Sequence, residues 1–284
     1  MANTIATRVY RDKYRKASLD HSLRSMLVAE KIFEVDHSEV KRIQSPYSST
    51  PTTVVQALAG TYSVADWTTT DDALSVDDEF ICAEHVFDFE ETLTAFDLFA
   101  ARTDQQNYSV ALKVDQFVLN VILEAGTGVY TTPVGGFTTV ANIPVIMANL
   151  AALVMGYAET YKGLYLVIEN TDVVGFAQSQ VSQGFSYADA ALRNGFMSSY
   201  MGIDIFVVRS GTFTDATVGT QTWTNSGHRL FGVKNTATYA APRGIRYEEK
   251  GVSGKTGMEC VTYGYIGAKV WTSVSDLTVD ITLA

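Results

Sequence analysis

Cysteine is scarce in this chain: Cys82 and Cys260 are the only two among 284 residues, and both sit inside apolar alternation. A stapled disulfide scaffold is therefore excluded, and the pair reads as buried thiols in a reducing compartment. Charge is also thin, with 18% charged residues against 46% hydrophobic ones. Part of such a surface is expected to meet other protein. No run approaches the roughly 20 apolar residues that cross a bilayer, and Met1 to Lys16 lacks the apolar centre of a secretory signal. The expectation is a soluble chain that is neither membrane-bound nor secreted.

Catalytic and cofactor motifs are missing in turn. The run Gly254-Lys255-Thr256 ends like a phosphate loop, but Glu249 stands where its first glycine belongs. Gly126 and Gly128 open a dinucleotide fingerprint that fails at Thr131. His21, His37, His85 and His228 have no zinc spacing, neither cysteine belongs to a CxxC, and no serine lies in a GxSxG. The acidic cluster Asp71, Asp72, Asp77, Asp78 and Glu79 lacks the order and central glycine of a calcium loop and reads as a solvated loop. Glu90-Glu91 and Glu248-Glu249 are neighbours in extended stretches, so they point to opposite faces rather than to one substrate. No catalytic residue, cofactor-binding residue or metal ligand is assigned. The expectation is a protein that is not an enzyme.

Charge is unevenly placed. The chain carries -10 overall, yet residues 1–45 hold nine Lys or Arg against six Asp or Glu, leaving an acidic remainder. That balance argues against a dedicated nucleic-acid reader; it fits a merely soluble acidic surface as well as a wall that must not stick to enclosed DNA. Fifteen Tyr and fourteen Phe are scattered rather than interleaved with basic residues, so they suit packing better than base stacking.

The periodicities lay out a mixed α+β chain. Leu19, Leu23, Met26 and Leu27 form an apolar stripe on a helical arm that needs a surface to lie on. Ser45 to Thr53, with Pro46 and Pro51, reads as a hinge. Val54 to Asp78 reads as a long two-stranded excursion, too weak to stand alone in water. Phe80 to Glu91 alternates, with Ile81, Ala83, His85, Phe87 and Phe89 expected to face inward. Asp97 to Ala125 is the longest helical candidate, ending at Gly126, with its second half expected to be buried on more than one side. Asn142 is placed as the cap of a second helix, followed by the apolar strand Leu164 to Ile168 and a further short helix.

Leu192 to Val208 is read as a helix closing on Asn194-Gly195, a tight crossing, and a buried strand launched by Gly202. Residues 210–240 are expected to be loops and irregular strands. Gly257 to Trp271 reads as extended structure whose glycines suit bulges, and Leu277 to Leu283 alternates strictly. Both terminal stretches are expected to pair with the strand at 80–91.

In its order of parts the chain resembles the major capsid proteins of tailed bacteriophages with the Hong Kong ninety-seven type fold, shared with encapsulins. The matching residues are Leu166 to Asn170, Leu192, Arg193, Gly195, Gly202, Ile203 to Val208, Tyr265, Gly267, Lys269 and Val270. The resemblance implies an N-terminal arm over 1–50, an extended loop over 51–80, a peripheral strand and spine helix over 81–125, an α/β axial domain over 126–245, and return strands of the peripheral sheet over 246–284. It also implies a structural role: self-assembly into pentamers and hexamers of an icosahedral virion shell around double-stranded DNA, put together in the host bacterial cytoplasm.

Implied partners are other copies of the chain, a portal, a separate scaffolding protein, and a maturation protease or decoration proteins. Some relatives join subunits through Lys-Asn isopeptide bonds, but Val54 to Phe80 contains no lysine. Closure is therefore expected to be non-covalent. An encapsulin compartment is the near alternative. A carbohydrate-binding adhesin using surfaces around Trp67 and Trp223 is the alternative of another class.

Overall fold

The computed structural model describes residues 28–48, 53, 68–86, 98–154, 163–182, 196–242, 244–251 and 256–284. A single helical turn, α1 (Val28–Ile32), leads into β1 (Glu34–Asp36). Short strands β2 (Arg42–Gln44) and β3 (Tyr47–Ser48) then run outward, and β4 (Thr69–Thr70) and β5 (Ala73–Ser75) return beside them. Strand β6 (Asp78–Val86) precedes the long helix α2 (Leu98–Ala125) and strand β7 (Gly128–Thr131). A 3-10 turn (Gly136–Thr138) introduces α3 (Asn142–Val154), β8 (Leu164–Glu169) and α4 (Val173–Ser182). Two hairpins follow, β9 (Phe196–Tyr200) with β10 (Ile203–Val208), and β11 (Asp215–Val218) with β12 (Gln221–Thr224). The chain finishes through β13 (His228–Val233), β14 (Ala237–Ala240), β15 (Arg246–Gly251), β16 (Met258–Val270), a 3-10 segment (Thr272–Leu277) and β17 (Thr278–Thr282).

Two sheets share α2. One has six strands in the order β7-β17-β13-β8-β10-β9; the other joins β1, β14, β16 and β15, with β6 also on β16. Strand β8 shows how sequence dictates burial. Leu164, Leu166 and Ile168 pack into a core with α3 and α4, whereas Tyr165 and Val167 pack into a second core with α2. Because side chains alternate across a strand, a strand covered on both faces must be apolar at every position. The LYLVI run meets that demand, and all six residues of β8 are buried.

Helix α2 packs on the six-stranded sheet through β17 and β13, and on the other sheet through β16 and β6. This double cover explains its ring of burial, in which every residue from Phe117 to Leu123 is buried. The expected burial of its second half on more than one side is what the two sheets produce.

Several expectations need correction. The alternation at 80–86 has the opposite phase: Ile81 is 61% exposed and Ala83 is exposed, while Phe80 and Cys82 pack on the α2 core. Glu84 faces inward too, because Gln106 of α2 reaches its carboxylate and the Cys260 carbonyl. A hydrogen-bonding helix residue thus overrides apolarity as the cue for the inner face. Phe87 to Glu91 lie outside the described residues.

Gly202 does not launch a strand from a helical crossing. Met201 (φ 53) and Gly202 (φ 81) are the two central residues of a tight hairpin turn, and β9 pairs antiparallel with β10. Both central residues need positive φ in such a turn, and glycine adopts it without strain. The proposed helix end at Asn194-Gly195 lies outside the described residues. Residues 210–240 are more regular than expected: β13 is a central strand of the six-stranded sheet and β14 is fully buried in the other.

The terminal stretches also part company. Strand β16 pairs with β6 as expected, but β17 pairs with β13 and β7 in the other sheet. Val279 and Ile281 bury against the α3 side, so their alternation answers to that core. The glycines of β16 make no bulge opposite β6, whose register runs unbroken through Gly264. A Cβ at Gly264 would lie 2.6 Å from the Phe80 ring, and one at Gly267 would lie 2.3 Å from the Ser75 carbonyl oxygen. They are there for close approach.

Candidate functional site

The feature that could reach beyond the chain's own body is the ribbon whose base is formed by β2 with β5 and β3 with β4. Its ascending side starts at Arg42, inside the stretch assigned to the arm, and Tyr47–Ser48 is paired strand where a hinge was expected. The stripe Leu19 to Leu27 and residues 54–67 lie outside the described residues.

Two aspartates fasten the ribbon's base. Asp72 forms an ion pair with Lys269 of β16 and accepts the Thr272 backbone N–H at 2.8 Å. Lys269 also donates to the Ala73 carbonyl at 2.8 Å, and the Asp72 carbonyl accepts from Ser45 N–H on the opposite side of the ribbon. Burial pushes the Asp72 carboxyl up, but hydrogen bonds from Lys269 and Thr272 outweigh it and hold the group below the usual aspartate value. Asp78 accepts from Thr220 N–H at 2.6 Å and from its hydroxyl at 2.9 Å, tying the start of β6 to the turn between β11 and β12. That turn carries Gly219 at φ +59, where a Cβ would lie 2.0 Å from an Asp78 oxygen.

The acidic cluster is therefore not the solvated loop expected from sequence. Asp72 and Asp78 are 6% and 8% exposed. Each is spent on a separate partner, because a buried carboxylate must be hydrogen-bonded or ion-paired. Asp71 and Glu79 are exposed, and Asp77 makes only an exposed pair with Lys41. Among the described residues, no group of three or more His, Cys, Asp and Glu side chains could hold a metal ion.

Beside the clamp lies an open cleft of about 430 Å³, between the end of α2, strand β12 and the end of β16. Its titratable lining consists of Glu124 and Lys269. Glu124 accepts Thr224 N–H, and the Asp72 carboxylate beside the lining residue Thr272 is committed to Lys269 and to the Thr272 backbone and side chain. Trp223 is 2% exposed and packs edge-on against Phe117 at 5.8 Å. It cannot present a sugar-stacking face, which removes one of the two surfaces on which the adhesin alternative rested; Trp67 lies outside the described residues.

Other charged groups among the described residues are held in structural contacts. Arg229, 4% exposed, pairs with Asp172 at 2.6 Å and Glu169 at 3.2 Å. Glu169 additionally accepts Gly211 and Phe213 N–H groups. His228 contacts Asp280 across β13 and β17 at 2.7 Å, and His37 Nδ1 lies 3.2 Å from the Ala241 carbonyl oxygen. In β15, Glu248 accepts from Lys250 and Tyr263 while its neighbour Glu249 accepts from Tyr247, so the two serve different faces. Asn142 does not cap α3 by accepting; its amide donates to the Val134 and Gly136 carbonyls. Sequence reasoning missed Arg229 and Asp115, and it named Lys269 without the ion pair to Asp72. A lone charge inside an apolar strand, or on the apolar half of the long helix for Asp115, was the available signal, since such a charge needs a buried partner.

The geometry defines a class: a two-sheet α+β body around one long helix, with a paired ribbon clamped to its corner and no catalytic constellation among the described residues. Solved structures place that class. The chain matches a capsid chain of cyanophage P-SCSP1u (TM-score 0.67, 17% identity, 100% of this chain and 93% of that one). It also matches a chain from a structure of Mycobacterium phage Che8 (0.68, 15%, 99% and 96%) and one from the capsid of an empty GTA particle (0.68, 14%, 100% and 95%). The fold is that of these chains, end to end. No protein-family model matches the sequence, and no curated protein matches it.

Proposed function

We propose that this chain is a major capsid protein: a structural, non-catalytic subunit that assembles with copies of itself into an icosahedral shell around double-stranded DNA. The observation that carries the reading is the full-length agreement in fold with chains taken from phage and GTA capsids. The anchored ribbon supports it, because an isolated two-stranded ribbon is marginal in water and gains order by lying on another subunit.

In Hong Kong ninety-seven terms, the residues before Arg42 supply an arm, the ribbon the extended loop, α2 the spine, the β16 sheet the peripheral layer and the six-stranded sheet the axial one. Three assignments differ from those read in sequence. The loop begins near Arg42, β14 serves the peripheral sheet, and the last strand, β17, serves the axial one. The implied location is the virion, with assembly in the host cytoplasm. Portal, separate scaffolding protein, protease and decoration proteins are the expected partners, and closure is non-covalent.

Sedimentation of the purified protein over a range of salt and concentration tests this reading. Capsomers and shells are the expected species. Nuclease-protected DNA within the shells separates a virion from an encapsulin compartment, which would hold a cargo enzyme instead.

A further inference from the structure

The ribbon and the hairpin of β11 with β12 belong to neither large sheet; their strands pair only with each other, two at a time. Two-stranded units are marginal in water, so each of these is ordered by whatever fastens it to the body.

The hairpin's root is fastened to α2 by a polar stripe at i, i+4 and i+8, positions that share one helix face. Gln116 donates to the Gly211 carbonyl at 3.4 Å, Asn120 donates to the Thr212 carbonyl at 2.8 Å and accepts the Asn225 amide at 3.0 Å, and Glu124 accepts Thr224 N–H at 3.2 Å. Trp223, packed on Phe117, plugs the root into the core. The hairpin's tip is fastened elsewhere. Thr220 gives both its N–H and its hydroxyl to Asp78, three residues past the end of β5 in the ribbon.

The ribbon's other fastening stands across the cleft. Lys269 and Thr272, which hold Asp72, line the cleft together with Gln221 and Thr222, the residues that follow Thr220. The ribbon's base is thus pinned at Asp72 to the β16 wall and at Asp78 to the hairpin wall. A base pinned to two walls cannot tilt without changing the gap between them.

We infer that the β11–β12 hairpin is a lever between α2 and the ribbon, and that the cleft is the gap over which it swings, so that cleft width and ribbon angle change together. The lever acts within one subunit and does not require that shells form, so its test and the test of the capsid reading are separate.

Amide exchange on the dispersed full-length chain reads the coupling at places the substitutions do not touch. Glu124→Ala loosens the root and should quicken exchange at Thr220 N–H, in the tip, and at Ser45 N–H, which bonds the Asp72 carbonyl in the ribbon, by about fivefold or more. Thr220→Val removes the hydroxyl bond at the tip and should quicken Thr224 N–H at the root by a similar factor, because coupling between two contacts is reciprocal. Amides of β8, inside the six-stranded sheet, should keep their rates in both variants. Quickening confined to the altered contact would overturn the lever, and so would an equal quickening in β8, which would mark a general loosening.

Holding the cleft at fixed width is the converse experiment. With Thr222→Cys and Ser275→Cys joined across it by a bismaleimide, Ser45 N–H and Val76 N–H, which bonds the Lys41 carbonyl across the ribbon, should exchange about fivefold more slowly than in the same variant left unjoined. Unchanged rates at both would refute the inference.

Discussion

At the scale of single residues, the molecule spends its few buried charges on fastening elements together. Arg229 is the clearest case, because one guanidinium is the ion-pair partner of two buried carboxylates. Arg229→Met should destabilise the dispersed subunit by about 3–5 kcal/mol, the cost of leaving buried carboxylates unpaired, as read by denaturant unfolding. Asp72 makes a pH prediction. Its folded value lies below the unfolded 3.8, so its contribution is complete above that value and is lost as pH falls through the folded one. Amide exchange at Ser45 and Thr272 should quicken there, and Asp72→Asn should show the quickened exchange at neutral pH.

Asp115 has the opposite sign. It caps α1 by accepting Val28 and Ala29 N–H at 3.0 Å, yet burial raises it to about 6. Its contribution is complete below 3.8 and falls away as pH rises through about 6, by at most about 3 kcal/mol. Asp115→Asn should flatten the stability profile between those limits.

Elements were legible in the sequence where one period ruled and obscure where a partner did. The apolar run of β8 and the long pattern of α2 announced themselves, since burial on two faces permits almost nothing else. The phase of β6 did not, because Gln106, distant in sequence, draws Glu84 inward and turns Ile81 out. Nor could the β9–β10 turn be read from Gly202 alone, since half its geometry lies in Met201. Close approaches were equally hidden. A Cβ at Gly175 would lie 2.0 Å from the Phe137 carbonyl oxygen, a contact invisible before α4 meets the 3-10 turn. Gly175→Ala should therefore cost about 1–3 kcal/mol by overpacking, although alanine favours a helix by about 1 kcal/mol. Thermal unfolding of the dispersed subunit checks the sign.

For the whole molecule, the order of parts was readable and the routing between sheets was not. Strand β14 leaves the stretch assigned to the axial layer to join β16, and β17 returns from the peripheral stretch to join β13. Alternation fixes which side of a strand is apolar but not which core receives it. The candidate site was legible only as a region: the excursion could be read, while its clamp depended on Lys269 and Thr220, roughly 200 and 140 residues from their aspartates and beyond the reach of local pattern.

The routing has a consequence for assembly, since both layers hang on α2 and should move as one block when the ribbon engages a neighbour. Electron micrographs of the purified protein put the account to its most direct test. Closed shells of uniform diameter, or rings of five and six subunits, are the predicted images; a field of dispersed single subunits at every salt and protein concentration would contradict it.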